Sequence, residues 1–370
     1  MQRRDYGHLP DGRAVQEYTL ENGLGLKLTA LTLGGIVTGL WVPDARGRSG
    51  NVVLGFDNLD DYVHRNPSFG IIVGRYGNRI AGASFELDGE THTLGRNDGP
   101  HCLHGGPEGF GHRLWSALPV EPADLLPGEA EALWFSYTSP HGEQGFPGEL
   151  KVTVRYAVSA IDNSWRIDYE ATTDRATVVN LTHHDYFNLA GQGSVLDHRL
   201  TIPASRYSEV DPTLIPLRHA SVAGTPFDFR EAMPIAARIR QAHPQLLFAK
   251  GYDHNWLLDG EADATTGLRP AATLEDPHTG RRMDILTTEP ALQFYSGNFL
   301  DGSLTGPQGR IYRQGDGLCL ETQHNPDSPH HEASRDWPST VLRPGEVFRS
   351  TTLHRFSCQE HFKDLPAAHR

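Results

Sequence analysis

Cysteine is scarce in this chain. Its 370 residues carry three, Cys102, Cys319 and Cys358, too few and too widely spaced for a disulfide framework. Cationic residues are also in deficit: 33 Lys and Arg stand against 46 Asp and Glu, a net charge of -13. A surface of that sign repels phosphate backbones and anionic lipid, so neither nucleic acid nor a membrane is an expected partner. Long apolar runs are missing as well. Ile71-Ile72-Val73 is typical of the short ones present, whereas a membrane span needs about 18 or more apolar residues. The opening Met1-Gln2-Arg3-Arg4-Asp5 is basic but leads into polar residues, not into the apolar stretch of a secretory or twin-arginine signal. A cytoplasmic protein is the expectation.

Turn formers are abundant. Gly occurs 39 times and Pro 25 times, with turn dipeptides at Asn22-Gly23, Asp88-Gly89, Asp98-Gly99, Pro127-Gly128 and Pro344-Gly345. Such punctuation leaves little room for helices, although residues Phe229 to Ala242 have the length for a short one. Many short strands in sandwiches are expected. The length alone argues for two or three domains at about 150 residues each. No linker, repeat or low-complexity segment divides the chain, however, and the acidic stretch Glu121 to Glu131 and the stretch His330 to Ser334 read as surface loops. Residues 1–370 are therefore expected to form a single β-sandwich domain.

The most informative stretch is Asn180 to Leu189 (NLTHHDYFNL). On a strand, side chains alternate, so Asn180, Thr182, His184, Tyr186 and Asn188 share one face, and Leu181, Phe187 and Leu189 take the other with His183 and Asp185. A face mixing imidazole, phenol, hydroxyl and carboxamide suits a polyhydroxylated ligand. A second stretch, Gly317 to Pro326 (GLCLETQHNP), puts Glu321 and Gln323 together, opposite Leu318 and Leu320. A carboxylate on a half-buried strand is costly without a task or a partner, and Pro326 ends this strand or confines it to an edge. His184 and Glu321 thus form a candidate acid and base pair for moving protons on a sugar.

Six blocks in order carry a resemblance to the aldose 1-epimerase, or galactose mutarotase, family: Gly74 to Ile80 (GRYGNRI), Leu103 to Gly106 (LHGG), Asn180 to Leu189, Gly251 to Asn255 (GYDHN), Gln293 to Tyr295 (QFY) and Leu320 to Gln323 (LETQ). The similarity runs from the N-terminal region to Phe356. It implies one large antiparallel supersandwich with a monosaccharide on its concave face. It also implies Glu321 as base on the anomeric hydroxyl, His184 as acid on the ring oxygen and His104 as a group stabilising charge on the sugar oxygens. Asn78, Arg79, Asp253 and Gln293 match positions that bind the sugar. No cofactor and no metal is implied, and the chain is expected as a monomer or homodimer that interconverts anomers of free aldohexoses such as galactose and glucose. His183 stands where many members carry Asn, and Tyr76-Gly77 where many carry other residues. A glycoside hydrolase using Glu321 and Asp253, or a carbohydrate-binding protein without catalysis, are the alternatives.

Most of these residues have a structural reading as well. Arg79 offers a planar fork to hydroxyls or pairs with an acid; Asp253 grips hydroxyls or caps a turn. Trp256 and Tyr295 stack on a sugar or pack in the core. His254 and His324 read as hydrogen-bonded structural imidazoles, and His101 as either loop or pocket lining. Of the 20 His, the close pairs His101/His104, His183/His184 and His330/His331 lack the spacing of a helical zinc site. Cys319, alternating with leucines, reads as a small core residue rather than a nucleophile.

Overall fold

The computed structural model describes residues 1–358. Only two α-helices occur among them, Leu59–His64 and Pro244–Ala249, six residues each; everything else is strand, 3-10 turn or loop. Three antiparallel sheets dominate. The first is an N-terminal meander of Gln2–His8, Ala14–Glu21, Lys27–Leu31, Val37–Pro43 and Ser49–Asn51. The second has nine strands, with Glu129–Ser139, Leu150–Ser159, Asn163–Thr173, Phe348–Cys358 and Arg281–Thr287 as successive neighbours. The third has five, in the order Pro216–Ser221, Arg206–Val210, Asp253–Leu257, Ala291–Tyr295 and Cys319–Gln323.

Period-two patterning explains how the second and third sheets pack. Val152, Val154, Tyr156, Trp165, Ile167, Tyr169 and Ile285 point inward from the nine-stranded sheet into one cluster with Tyr207, Trp256, Leu292, Phe294 and Leu320 from the five-stranded one. Those last five residues alternate with Ser208, Asn255, Gln293 and Glu321 along their strands. The five-stranded sheet therefore buries an apolar face and turns a polar face away from the core.

Two local expectations fail. The segment from Phe229 to Ala242 is not a helix: Met233–Pro234 is an edge strand paired with Arg199–Thr201, followed by a 3-10 turn at Ile235–Ala237, and the helix starts only at Pro244. Pro234 lacks an N–H, which suits a strand edge better than a helix interior. Asn180 to Leu189 is not one continuous strand either. Only Thr182–His184 forms a ladder, with Ile71–Val73, while Asn180 and Phe187 make isolated bridges to other segments. Glu121 to Glu131 is loop and 3-10 turn until the strand beginning at Glu129; His330 ends a 3-10 turn and the residues after it form a loop.

Candidate active site

The polar face of the five-stranded sheet is the floor of the candidate site. Its register sets Asp253 opposite Tyr295 and Tyr295 opposite Cys319, while Asn255, Gln293 and Glu321 form the next row. Cys319–Gln323 is the edge strand and ends before Pro326, so Glu321 stands at the rim where Thr182–His184 packs against it. His184 Nε2 lies 3.6 Å from Glu321 Oε1. Both side chains are buried, and Glu321 Oε2 has no protein partner.

His104 joins them from a turn after the Cys102–Leu103 strand. It adopts a left-handed backbone (φ 51°), and the following Gly105 presses on Gly74, whose carbonyl oxygen would lie 2.0 Å from a Cβ at that position. Only glycine fits there. The His104 and His184 rings meet edge-to-face at 5.0 Å. His104 Nδ1 accepts the Asn78 N–H at 3.2 Å, so a neutral His104 carries its proton on Nε2. Asn78 itself has a left-handed backbone, and its Oδ1 accepts the Arg79 N–H at 2.8 Å.

Arg79 and Asp253 hold each other and their neighbours. Arg79 Nε donates to Asp98 Oδ2 at 2.7 Å and Arg79 Nη1 lies 3.9 Å from Asp253 Oδ2. Gln293 Nε2 donates to Asp253 Oδ1 at 2.7 Å, which leaves Gln293 Oε1 buried and unpaired. Arg79 therefore pairs with acids, as its structural reading expected, with Asp253 beside it on the polar face of the sheet.

Burial sets the electrostatics. It holds Glu321 well above the usual carboxylate range, aided by the negative charge of Asp253 and opposed by Arg79. Asp253 is also raised, again chiefly by burial, with Arg79 and the Gln293 hydrogen bond pulling the other way. His184 is pushed down to about 4 by burial, and His104 well below its ordinary value by burial and then by His184 and Arg79. Burial thus shifts the two neighbours in opposite directions, the carboxyl toward its protonated form and the imidazole toward its neutral one.

Several residues marked in the sequence lie elsewhere. Asn180 donates to the Gly77 and His324 carbonyls and accepts from the His324 N–H, and Asn188 donates to the carbonyls of Gly193 and Asp316. These amides satisfy backbone left without a sheet partner, the consequence of the broken strand. Tyr186 donates to Pro67 O and packs on Phe69. His183 points into the core between Asp185 (2.6 Å) and the Tyr156 hydroxyl (2.8 Å). Trp256 is core, its Nε1 donating to Phe227 O. His254 accepts the Asp253 N–H on Nδ1 and faces Gln245 Oε1 through Nε2; His324 pairs with Glu289 at 2.6 Å. His101 accepts the Gly82 N–H and is buried, a loop anchor rather than part of the His104 cluster.

Three neighbours escaped the sequence reading. Asn255, whose Nδ2 donates to Asn325 and Ser208, shares the face of Asp253 by alternation, a signal that was present. Asp98, the anchor of Arg79, gave none, since only folding brings it there. Cys319 was read as core; it is fully buried, but on the Glu321 side of its strand, with Sγ 3.5 Å from His184 Nδ1. Its neighbours 318 and 320 are both leucines, which obscured its facing.

Among the described residues, His104, His184 and Glu321 form a group whose donor atoms all lie within 4.8 Å of one another, a spacing compatible with an ion. The donor set fits an ion poorly. Ligation through His104 Nε2 would move its proton onto Nδ1, against the Asn78 N–H, and ligation through Nδ1 would displace that hydrogen bond.

A family model described as aldose 1-epimerase matches residues 16–355. The human galactose mutarotase is 40% identical over 359 residues, covering 96% of this chain and 98% of that one. The aldose 1-epimerase of Escherichia coli K12 is 40% identical over 352 residues, covering 94% and 96%. Among solved structures, galactose 1-epimerase from Lactobacillus acidophilus superposes with a TM-score of 0.82 at 29% identity, covering 97% of this chain and 99% of that one. A GalM/aldose epimerase homologue from C. elegans gives 0.81 at 30% identity, covering 92% and 98%. With that fold, and with His and Glu facing each other above a polar sheet, this chain belongs to the aldose 1-epimerase family.

Proposed function

We propose that the protein is a mutarotase that interconverts the α and β anomers of free aldohexoses such as galactose and glucose, with Glu321 and His184 as its proton-transfer pair. The observation that carries the assignment of roles is the 3.6 Å approach of His184 Nε2 to Glu321 Oε1 in a buried cleft. Glu321 takes the proton from the anomeric O1 while His184 delivers one to the ring oxygen O5. The C1–O5 bond breaks, C1=O1 forms, rotation about C1–C2 presents the other face, and reversal of both transfers closes the ring. Each cycle returns both protons, so nothing is consumed.

The pKa directions fit this cycle. A protonated Glu321 beside a neutral His184 holds the same number of protons as a carboxylate beside an imidazolium. The second arrangement is the reactive one, reached when a sugar bridges the pair and Arg79 offsets the carboxylate charge. His104 presents its Nε2–H to the sugar oxygens as charge develops there. Arg79, Asp253 and Gln293, with Asn78 at the wall, bind the remaining hydroxyls. Positioned acid and base groups each contribute on the order of 10² to 10⁴ in rate.

We read residues 1–370 as one domain, because the proposed site draws on segments from Asn78 to Glu321. A net charge of -13 supports the absence of nucleic acid partners. We also place the protein in the cytoplasm, as a monomer or homodimer; its Cys102 and Cys319 are buried reduced thiols, and no helix among the described residues is long and apolar enough to cross a membrane. The test of function is polarimetry on freshly dissolved α-D-galactose and α-D-glucose. Added protein should speed the approach to equilibrium and leave the final rotation unchanged. A shifted endpoint, or reducing sugar released from a glycoside with no mutarotation, would replace this reading with a hydrolase.

A further inference from the structure

Acid catalysis on O5 requires more of His184 than proximity. The ring must present Nε2 to the sugar and to Glu321, and Nδ1 must be engaged so that the imidazole neither flips nor changes tautomer. The strand Thr182–His184 supplies the Cβ direction only. The rings of His104 and Tyr186 pack against the imidazole at 5.0 and 5.1 Å without contacting a ring nitrogen through a polar atom. Among the described residues, the side chain that reaches Nδ1 is Cys319, its Sγ at 3.5 Å.

We propose that Cys319 is a positioning residue for the same reaction: its thiol seats His184 Nδ1, fixing which nitrogen faces Glu321 and the sugar. The inference rests on the assignment of His184 as the acid. Cys319 and Glu321 are two residues apart on one strand and on one face, so the segment that carries the base also carries the group that orients the acid. A single register, Tyr295 opposite Cys319 and Gln293 opposite Glu321, places both. In this arrangement Nδ1–H donates to the thiol sulfur, a weak acceptor. Nδ1 thus keeps its hydrogen, and Nε2 is the nitrogen whose proton comes and goes.

A nucleophilic role does not fit. Burial, together with the negative charges of Glu321, Asp185 and Asp253, holds the Cys319 thiol well above its ordinary value, so it remains S–H. Packing alone is the competing account, since Cys319 also touches the apolar cluster containing Tyr186, Tyr295 and Tyr312.

The experiment uses the whole chain with Cys319→Ala and Cys319→Ser, each checked for an unchanged melting temperature within a few degrees. For the Ala variant we expect kcat to fall about tenfold with KM within about twofold, and ¹⁵N shifts of the His184 ring to move from one tautomer toward a mixture. The Ser variant, whose hydroxyl is a stronger acceptor, should recover kcat to within about threefold and raise the pH of the acid limb of the rate profile. Equal losses in both variants with an unmoved acid limb and an unaltered His184 spectrum would overturn the proposal in favour of packing. The NMR readout needs no turnover, so failure of the mutarotase reading itself, seen in polarimetry of the unmodified chain, is a separate result.

Discussion

Gln293 and Glu321 lie directly opposite each other on adjacent strands, and Gln293 at the same time donates to Asp253 on the strand beyond. One amide thereby links Asp253 to the strand that carries the residue proposed as base. A slip of one residue in this pairing would turn Glu321 into the apolar layer and Leu320 into the cleft.

Replacement of Glu321 by Gln keeps shape and hydrogen bonding but removes the proton acceptor. The mutarotation rate should fall by at least about 10², while galactose or glucose affinity changes far less. Near-normal turnover in the variant would leave Glu321 as a binding residue and shift the role of base to Asp253.

The opposite shifts of Glu321 and His184 set the expected pH dependence. On the acid side the pair gains a second proton as His184, held down to about 4, becomes charged beside a protonated Glu321, and the base is lost. On the alkaline side the pair loses its last proton, at a pH above the usual carboxylate range because burial raises Glu321. Initial rates should trace a bell, and Glu321→Gln should reduce it to a single limb. A flat profile across the acid range would contradict these roles for His184 and Glu321.

His183 and His184 are neighbours with different work. His184→Ala should abolish nearly all turnover with little effect on melting. His183→Ala removes a group wedged between Asp185 and Tyr156 in the core, so it should cost about 1–3 kcal/mol of stability while sparing the rate per folded molecule. Activity and thermal melts on both proteins decide the matter, and equal activity losses at matched stability would refute the opposed facings.

Stability should decline with acid before the catalytic pair is spent. His254, His354 and His184 are held down by burial to about 3, 4 and 4, against 6.5 for the free imidazole. Below about pH 6.5 the unfolded chain binds protons that the folded chain refuses, so stability falls as pH drops toward these folded-state values. Melting temperature measured from pH 7 to 4 should decrease steadily, and a constant value would show that these imidazoles are solvated.

Read along the chain, alternation and punctuation determined a good deal. Dense Gly and Pro signals dictated short strands rather than helices, because each turn ends an element before a helix can be nucleated and lengthened. Parity put Glu321 opposite Leu320, and His184 opposite His183, because successive side chains on any extended backbone diverge, even over three residues of true ladder. Tertiary structure decided the rest. Asn180 and Asn188, drawn as ligand-facing by the same parity, became backbone staples because their segment leaves the ladder and its carbonyls need donors. Asp98 reached Arg79, and Cys319 reached His184, through contacts between segments far apart in sequence, which no local period encodes. The proton chemistry of the pair was also undetermined until folding removed both groups from water, since burial and not residue type is what drives the carboxyl up and the imidazole down.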